Sequence, residues 1–163
     1  MIEPIDVESR ATGDDHLALR LWLRLLACTN LIEGKARSRL RAAFETTMPR
    51  FDLMAQLERA PAGLRMNEIS RRMMVTGGNI TRIVDQLVAE GLVIKEMSRD
   101  DRRAFTVRLT APGRRAFSGM AERHETWVVQ MLEALNRREK LQLYALLAKV
   151  KAHVAQLPAG DGA

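Results

Sequence analysis

GGNITRIVDQLVAEGLVIKEMSRDDRRAFTVRLT, running from Gly77 to Thr110, is the stretch that decides the fold. Its first half places Ile80, Ile83, Val84, Leu87 and Val88 at i, i+3, i+4, i+7 and i+8, one apolar stripe of an amphipathic helix from Thr76 to Glu90. Gly91 follows as a left-handed stop. Leu92 to Met97 and Ala104 to Thr110 then form a hairpin, with Phe105, Val107 and Leu109 facing inward and Thr106 and Arg108 outward. A helix, a glycine stop and a basic-tipped hairpin in this order are the layout of a winged helix-turn-helix. Such a unit sets one helix in the major groove of DNA and the hairpin over the adjacent minor groove.

The polar side of that helix carries Gly78, Asn79, Thr81, Arg82 and Gln86. Arg bonds guanine in two places, Asn or Gln bonds adenine, and the Thr methyl packs on thymine. Gly77 and Gly78 at the helix start let the backbone approach phosphate closely, with free N–H groups aimed at it, and Thr76 just before them is a further candidate DNA contact. Alone, such a face is also what any solvated amphipathic helix presents. The hairpin tip decides the matter: Ser98-Arg99-Asp100-Asp101-Arg102-Arg103 supplies guanidinium groups for a narrow, electronegative minor groove and carboxylates to hold them in position.

Charge agrees with this location. The 163 residues carry a net charge of +6, with an isoelectric point near 10.2. Lys and Arg exceed Asp and Glu by 9 to 6 between Pro61 and Thr110, but balance at 9 each before that segment. A hydrophobic content of 47% is enough for a real core. One cysteine excludes an intrachain disulfide and a multi-cysteine zinc framework, and fits a reducing cytoplasm. The opening MIEPIDVESRATGDD has no apolar run and does not read as a signal peptide, and Leu17 to Ile32 is too short and too interrupted to span a bilayer. No phosphate loop, nucleophile elbow or His-Glu metal motif occurs, so an enzyme is not expected. His16, His124 and His153 lack ligand spacing, and neither metal nor cofactor is expected.

The fold class read from these patterns is mainly α with a small β-hairpin wing, a winged helix-turn-helix plus a helical dimerisation region. Residues 1–15 read as a flexible arm, 16–46 and 111–157 as the dimerisation region, 47–110 as the DNA-binding lobe and 158–163 as a disordered tail. A first helix from His16 to Ala43, capped by Asp14 or Asp15, is apolar on nearly every side in its first half and needs cover that a small monomer does not supply. Short helices follow at Thr47-Met48-Pro49 and over Asn67 to Met74, with Asn67 as a cap of the second. Thr110 caps a helix reaching Leu135, with Pro112 in its first turn. Asn136 and Glu139 form a capping box for a last helix, along which Leu143, Leu147, Val150, Val154 and Leu157 make a seam for another helix.

The order of elements, together with the run Asp101-Arg102-Arg103-Ala104-Phe105-Thr106-Val107-Arg108-Leu109-Thr110, resembles the MarR family of bacterial transcriptional regulators. The resemblance implies a homodimer with interleaved terminal helices, bound to double-stranded DNA. It further implies that Asp101 and Arg103 are the wing pair whose Arg enters the minor groove, and that Asn79, Thr81, Arg82 and Gln86 lie on the recognition helix. The start of the preceding helix departs from the family, having Arg65-Met66-Asn67 where Ser or Thr is common.

Family members answer to a small ligand or to cysteine oxidation. The stretches TTMPRFDLMAQLERAP and SRRMMVTGGNITRIVDQLVAEGLV are similar to members controlling aromatic acid catabolism, which implies an aromatic carboxylic acid, or its acyl-coenzyme A thioester such as a hydroxycinnamoyl thioester, as the effector. Candidate ligand-binding residues are Arg20, Trp22, Arg24, Asn30, Phe51, Met54, His124 and Trp127, with Lys35 to Arg41 as a second cationic cluster; each is also ordinary core or surface at its spacing. Cys28, mid-helix among apolar neighbours, reads as a buried, inert thiol, with a redox-sensing regulator as the alternative. A ligand-independent architectural DNA-binding protein is the other alternative.

Overall fold

Helix α1, Leu17–Phe44, follows His16, whose side chain makes no capping bond. Asp14 and Asp15, the expected caps, lie outside the residues that the computed structural model describes, which are 16–73, 77–97 and 105–158. The expected N-terminal arm and most of the expected tail lie outside them too. α1 ends at Glu45, held in a left-handed conformation at φ 52°, with its N–H on the Arg41 carbonyl. Only Ala36 and Leu40 of α1 are buried, while Leu17, Leu19, Leu21, Trp22, Leu26 and Leu31 stand exposed.

Helix α2, Met48–Glu58, begins with Pro49 in its first turn and buries Met48, Phe51, Leu53, Met54 and Leu57. Gly63, at φ +93°, then turns the chain into β1, Leu64–Arg65. A Cβ at Gly63 would lie 2.5 Å from the Thr106 Cγ2 and 2.9 Å from the Val107 carbonyl oxygen, so only glycine fits this crossing. Helix α3, Met66–Met73, starts one residue earlier than the sequence pattern suggests. The Glu68 carboxylate accepts the Arg65 N–H at 2.8 Å, placing Arg65 at the boundary and Asn67 inside the first turn instead of at the cap.

Helix α4, Gly77–Ala89, buries Ile80, Ile83, Val84 and Leu87 as expected. Val88 does not join them and is 38% exposed. Gly91 stops the helix at φ +71°, with its own N–H on the Val88 carbonyl and the Leu92 N–H on the Leu87 carbonyl, both at 3.0 Å. β2, Val93–Met97, and β3, Phe105–Leu109, pair antiparallel from Val93 opposite Leu109 to Met97 opposite Phe105. β1 adds to the far side of β3, giving the order β1-β3-β2. Val107 and Leu109 point into the core, but Phe105, expected inward, is 40% exposed beside the exposed Met97, the last pair before the connection between the strands, where the Lys95 ammonium covers its ring at 4.9 Å.

Thr110 anchors helix α5, Ala111–Met131: its hydroxyl accepts the Gly113 N–H at 2.9 Å and donates to the Gly91 carbonyl at 2.7 Å. The helix ends at Met131, four residues before the expected Leu135. Helix α6, Arg137–Val154, opens on the expected capping box, Asn136 accepting from the Glu139 N–H at 3.0 Å and Glu139 from the Asn136 N–H at 2.8 Å. It buries none of its residues.

The chain divides inside α5 into two units, residues 1–127 and 128–163. The core lies in the first, where Leu40, Leu53, Met54, Leu57, Ile69, Ile80, Val84, Leu87, Val93 and Val107 are sealed from solvent. Each such side chain contributes about 1.5–3 kcal/mol of transfer free energy, and together they fix α4 and the hairpin to one frame. Among the described residues no helix is long and apolar enough to cross a membrane.

Candidate functional site

With Ile80, Ile83, Val84 and Leu87 turned to the core, the opposite face of α4 is left to solvent. Thr81, Arg82, Asp85 and Gln86 are exposed there, and Asn79 is half-buried at its start. The Arg82 guanidinium donates to the Asn79 Oδ1 at 3.3 Å, one turn away. The Lys95 ammonium sits 3.7 Å from the Asp85 carboxylate and joins β2 to α4. A depression between α3 and α4 is lined by Met66, Asn67, Ser70, Arg71 and Thr81. Arg71 thus shares a surface with the exposed face of α4, a role the sequence reading did not assign it. The available signal was the Arg71-Arg72 pair in the helix before the turn.

Across the two strands of the hairpin, Arg108 donates twice to the Glu96 carboxylate, at 2.8 and 3.1 Å, a two-pronged cross-strand pair. That hydrogen bonding and the Glu96 charge push the guanidinium pKa further up, so Arg108 stays a cation. Of the ten residues expected at DNA, Asn79, Thr81, Arg82 and Gln86 share one face of α4 and Gly78 lies in its first turn. Thr76, Arg99, Asp101, Arg102 and Arg103 lie outside the described residues.

The first unit also holds a cleft of about 740 Å³. α1 lines it with Glu33 and Arg37, α2 with Met48, Phe51 and Asp52 and with its C-cap Arg59, α3 with Arg72, and α5 with Phe117 and His124. The Phe51 ring lies 4.9 Å from the His124 ring and 5.5 Å from the Phe117 ring, centre to centre. Burial raises the Asp52 carboxyl above the usual carboxylate range, the Glu33 charge adds to the rise, and His124 opposes it.

Of the expected ligand residues, the fold brings only Phe51 and His124 to this cleft. Met54 and Trp127 are core: Met54 is sealed, and Trp127 packs on Phe44 at 6.4 Å with the Arg39 guanidinium 6.0 Å over its ring. Arg20, Trp22, Arg24 and Asn30 stand exposed on the first half of α1, away from the cleft lining. From the cationic cluster of Lys35 to Arg41, Arg37 reaches the cleft, 3.8 Å from Glu33. The sequence reading missed Glu33, Asp52, Arg59, Arg72 and Phe117, which meet there from four helices. Cys28 is exposed, contrary to the expected buried thiol, because no described residue covers its stretch of α1.

A sequence profile of the MarR family matches residues 45–104. An uncharacterised HTH-type transcriptional regulator of Bacillus cereus (strain ATCC 10987 / NRS 248) is 28% identical over 86% of this chain and 92% of its own length. HTH-type transcriptional regulator PecS of Dickeya dadantii (strain 3937) is 25% identical over 82% of each chain. Among solved structures, a MarR family transcriptional regulator from Silicibacter pomeroyi superposes with a TM-score of 0.74 at 28% identity, covering 88% of this chain and 99% of its own.

Proposed function

We propose that the chain is a transcriptional regulator of the MarR type, a homodimeric repressor released from a palindromic operator when a small ligand occupies the cleft. The observation that carries this reading is the exposed face of α4, where Asn79, Thr81, Arg82 and Gln86 stand together beside Arg71. Residues 47–110 act as the DNA-binding lobe, residues 16–46 and 111–157 as the dimerisation region, and the protein works in the cytoplasm. The exposed apolar residues of α1, and separately those of α6, including Leu143, Leu147 and Val150, support a partner copy, since water-exposed stripes of this kind stabilise a fold only when covered. Two-fold symmetry then sets half-sites about 10 base pairs apart.

The effector is an aromatic carboxylic acid or its acyl-coenzyme A thioester. Support comes from the aromatic wall of Phe51, Phe117 and His124 next to arginines in one cleft. Titration at fixed salt tests this: operator affinity falls as one such compound is added, whereas a ligand-independent architectural protein keeps its affinity. The reading also requires that Arg103→Ala weaken operator binding without unfolding the chain, and equal affinity for one half-site and two would overturn the dimer. The exposure of Cys28 in the single chain supports a second reading, in which the partner copy leaves the thiol open and its oxidation releases the DNA. Loss of DNA binding in peroxide, absent in Cys28→Ser, would establish it.

A further inference from the structure

The cleft is electrically two-ended. It runs along α2, where Met48, Asp52, Gln56 and Arg59 recur at steps of four, four and three and so share one face. Near the start of α2, the rings of Phe51, Phe117 and His124 gather beside Asp52. At its far end stands Arg59, with Arg72 from the last turn of α3. Seven residues separate Asp52 from Arg59, a rise of about 10 Å along the helix.

The charges differ in how the fold uses them. Glu33 and Arg37 form an exposed ion pair at 3.8 Å, one turn apart on α1. Among the described residues Asp52 makes no hydrogen bond or ion pair, and neither Arg59 nor Arg72 makes a salt bridge. Among the described residues, an acceptor at the aromatic end and two cations at the other thus have no salt-bridge partner.

We propose that the cleft takes a two-ended ligand: an aromatic ring whose hydroxyl donates to Asp52, joined to an anion held by Arg59 and Arg72 about 10 Å away. This rests on the reading of the cleft as the effector site and narrows it. A carboxylate attached directly to the ring is repelled at the Asp52 end by Asp52 and Glu33, so the anion must sit on an extension of the ring. The same anion chemistry is available from a side-chain carboxylate or from the phosphates of a thioester carrier.

Equilibrium binding to the full chain without DNA, using 4-hydroxycinnamate, cinnamate, 4-methoxycinnamate and 4-hydroxycinnamoyl-coenzyme A, tests the proposal. The hydroxylated acid should bind at least about tenfold more tightly than the unsubstituted and methoxy acids, the effect of one charge-assisted hydrogen bond. In Asp52→Ala that preference should shrink to within about threefold, as expected when the acceptor is gone. Arg59→Gln with Arg72→Gln should weaken hydroxylated and plain acids alike and keep the preference between them. A larger loss for the thioester than for the free acid assigns the cations to phosphate; equal losses assign them to the carboxylate.

Operator affinity without ligand serves as the check that each variant is folded. A hydroxyl preference that survives Asp52→Ala overturns the proposal. So does failure of every probe to bind a chain that still binds its operator. If the probes bind with the stated dependence yet leave the operator occupied, the ligand assignment stands and the release mechanism fails.

Discussion

The Arg50 guanidinium donates to the Glu90 carboxylate, joining the first turn of α2 to the residue just after α4. Arg50 sits between Pro49 and Phe51, both of which line the cleft, so one short segment touches the cleft on one side and the end of the DNA-facing helix on the other. The arginine side chain is 17% exposed and its Nε has no partner, whereas Glu90 is 45% exposed. Glu90→Ala leaves a mostly buried guanidinium unpaired and should cost about 1–2 kcal/mol, below the loss for a fully buried pair because water reaches the Glu90 side. Arg50→Met, which removes the charge and keeps the stem, should cost less. Urea unfolding of both variants and the double variant measures the coupling; single costs that simply add in the double variant would show that the pair itself contributes little.

Two glycines of α5 should respond in opposite directions. A Cβ on Gly113 would lie 1.8 Å from the Leu92 carbonyl oxygen, which itself accepts the Thr110 N–H, so neither backbone has room to retreat. Gly113→Ala should therefore cost more than about 2 kcal/mol. At Gly119 nothing lies within 4 Å, and Gly119→Ala should stabilise by up to about 1 kcal/mol through helix propensity. Thermal unfolding of the two variants gives melting shifts of opposite sign if this packing is right.

Local signals carried most of the fold. The stripe of α4, the Gly91 stop, the Thr110 cap and the Asn136–Glu139 box all lie within a few residues of what they control, and all appear where the sequence places them. β1 escaped notice because two residues show no period and its partners, Thr106 and Val107, lie over 40 positions later. Val88 and Phe105 continue apolar patterns past the point where any layer covers them, and periodicity specifies a face without specifying where its cover ends. The cleft was the least legible. Glu33, Asp52, Arg59 and Arg72 look like surface charges in sequence and acquire a shared purpose only when four helices converge.

Asp52 links the cleft to pH. Its folded carboxyl titrates above the ordinary 3.8 because burial and Glu33 disfavour the anion, so the folded state holds this proton more tightly than the unfolded chain. Stability from this group is therefore greatest below 3.8 and declines as pH rises from there through the folded value, after which the cost stays constant. Asp52→Asn removes the penalty. The variant's melting temperature relative to the parent should climb across that window and level off toward neutral pH. A difference that is flat with pH would mean that Asp52 is not held in the environment described here.

On the DNA-facing side, Asn79 and Arg82 are expected to act as a unit, with the Asn79 Oδ1 fixing the guanidinium from one turn away. Arg82→Ala should cost about 1–3 kcal/mol of operator affinity per half-site and relax the preference at one base pair, the signature of a lost two-pronged contact to guanine. Arg82→Lys keeps the charge but not the fork, and should lose the base preference while retaining part of the affinity. Asn79→Ala should cost less, and added to Arg82→Ala should change little further, since its effect passes through the arginine. Fluorescence anisotropy against operators varied one base pair at a time separates the cases: additive losses, with a second base pair relaxed by Asn79→Ala, would make Asn79 an independent reader of adenine.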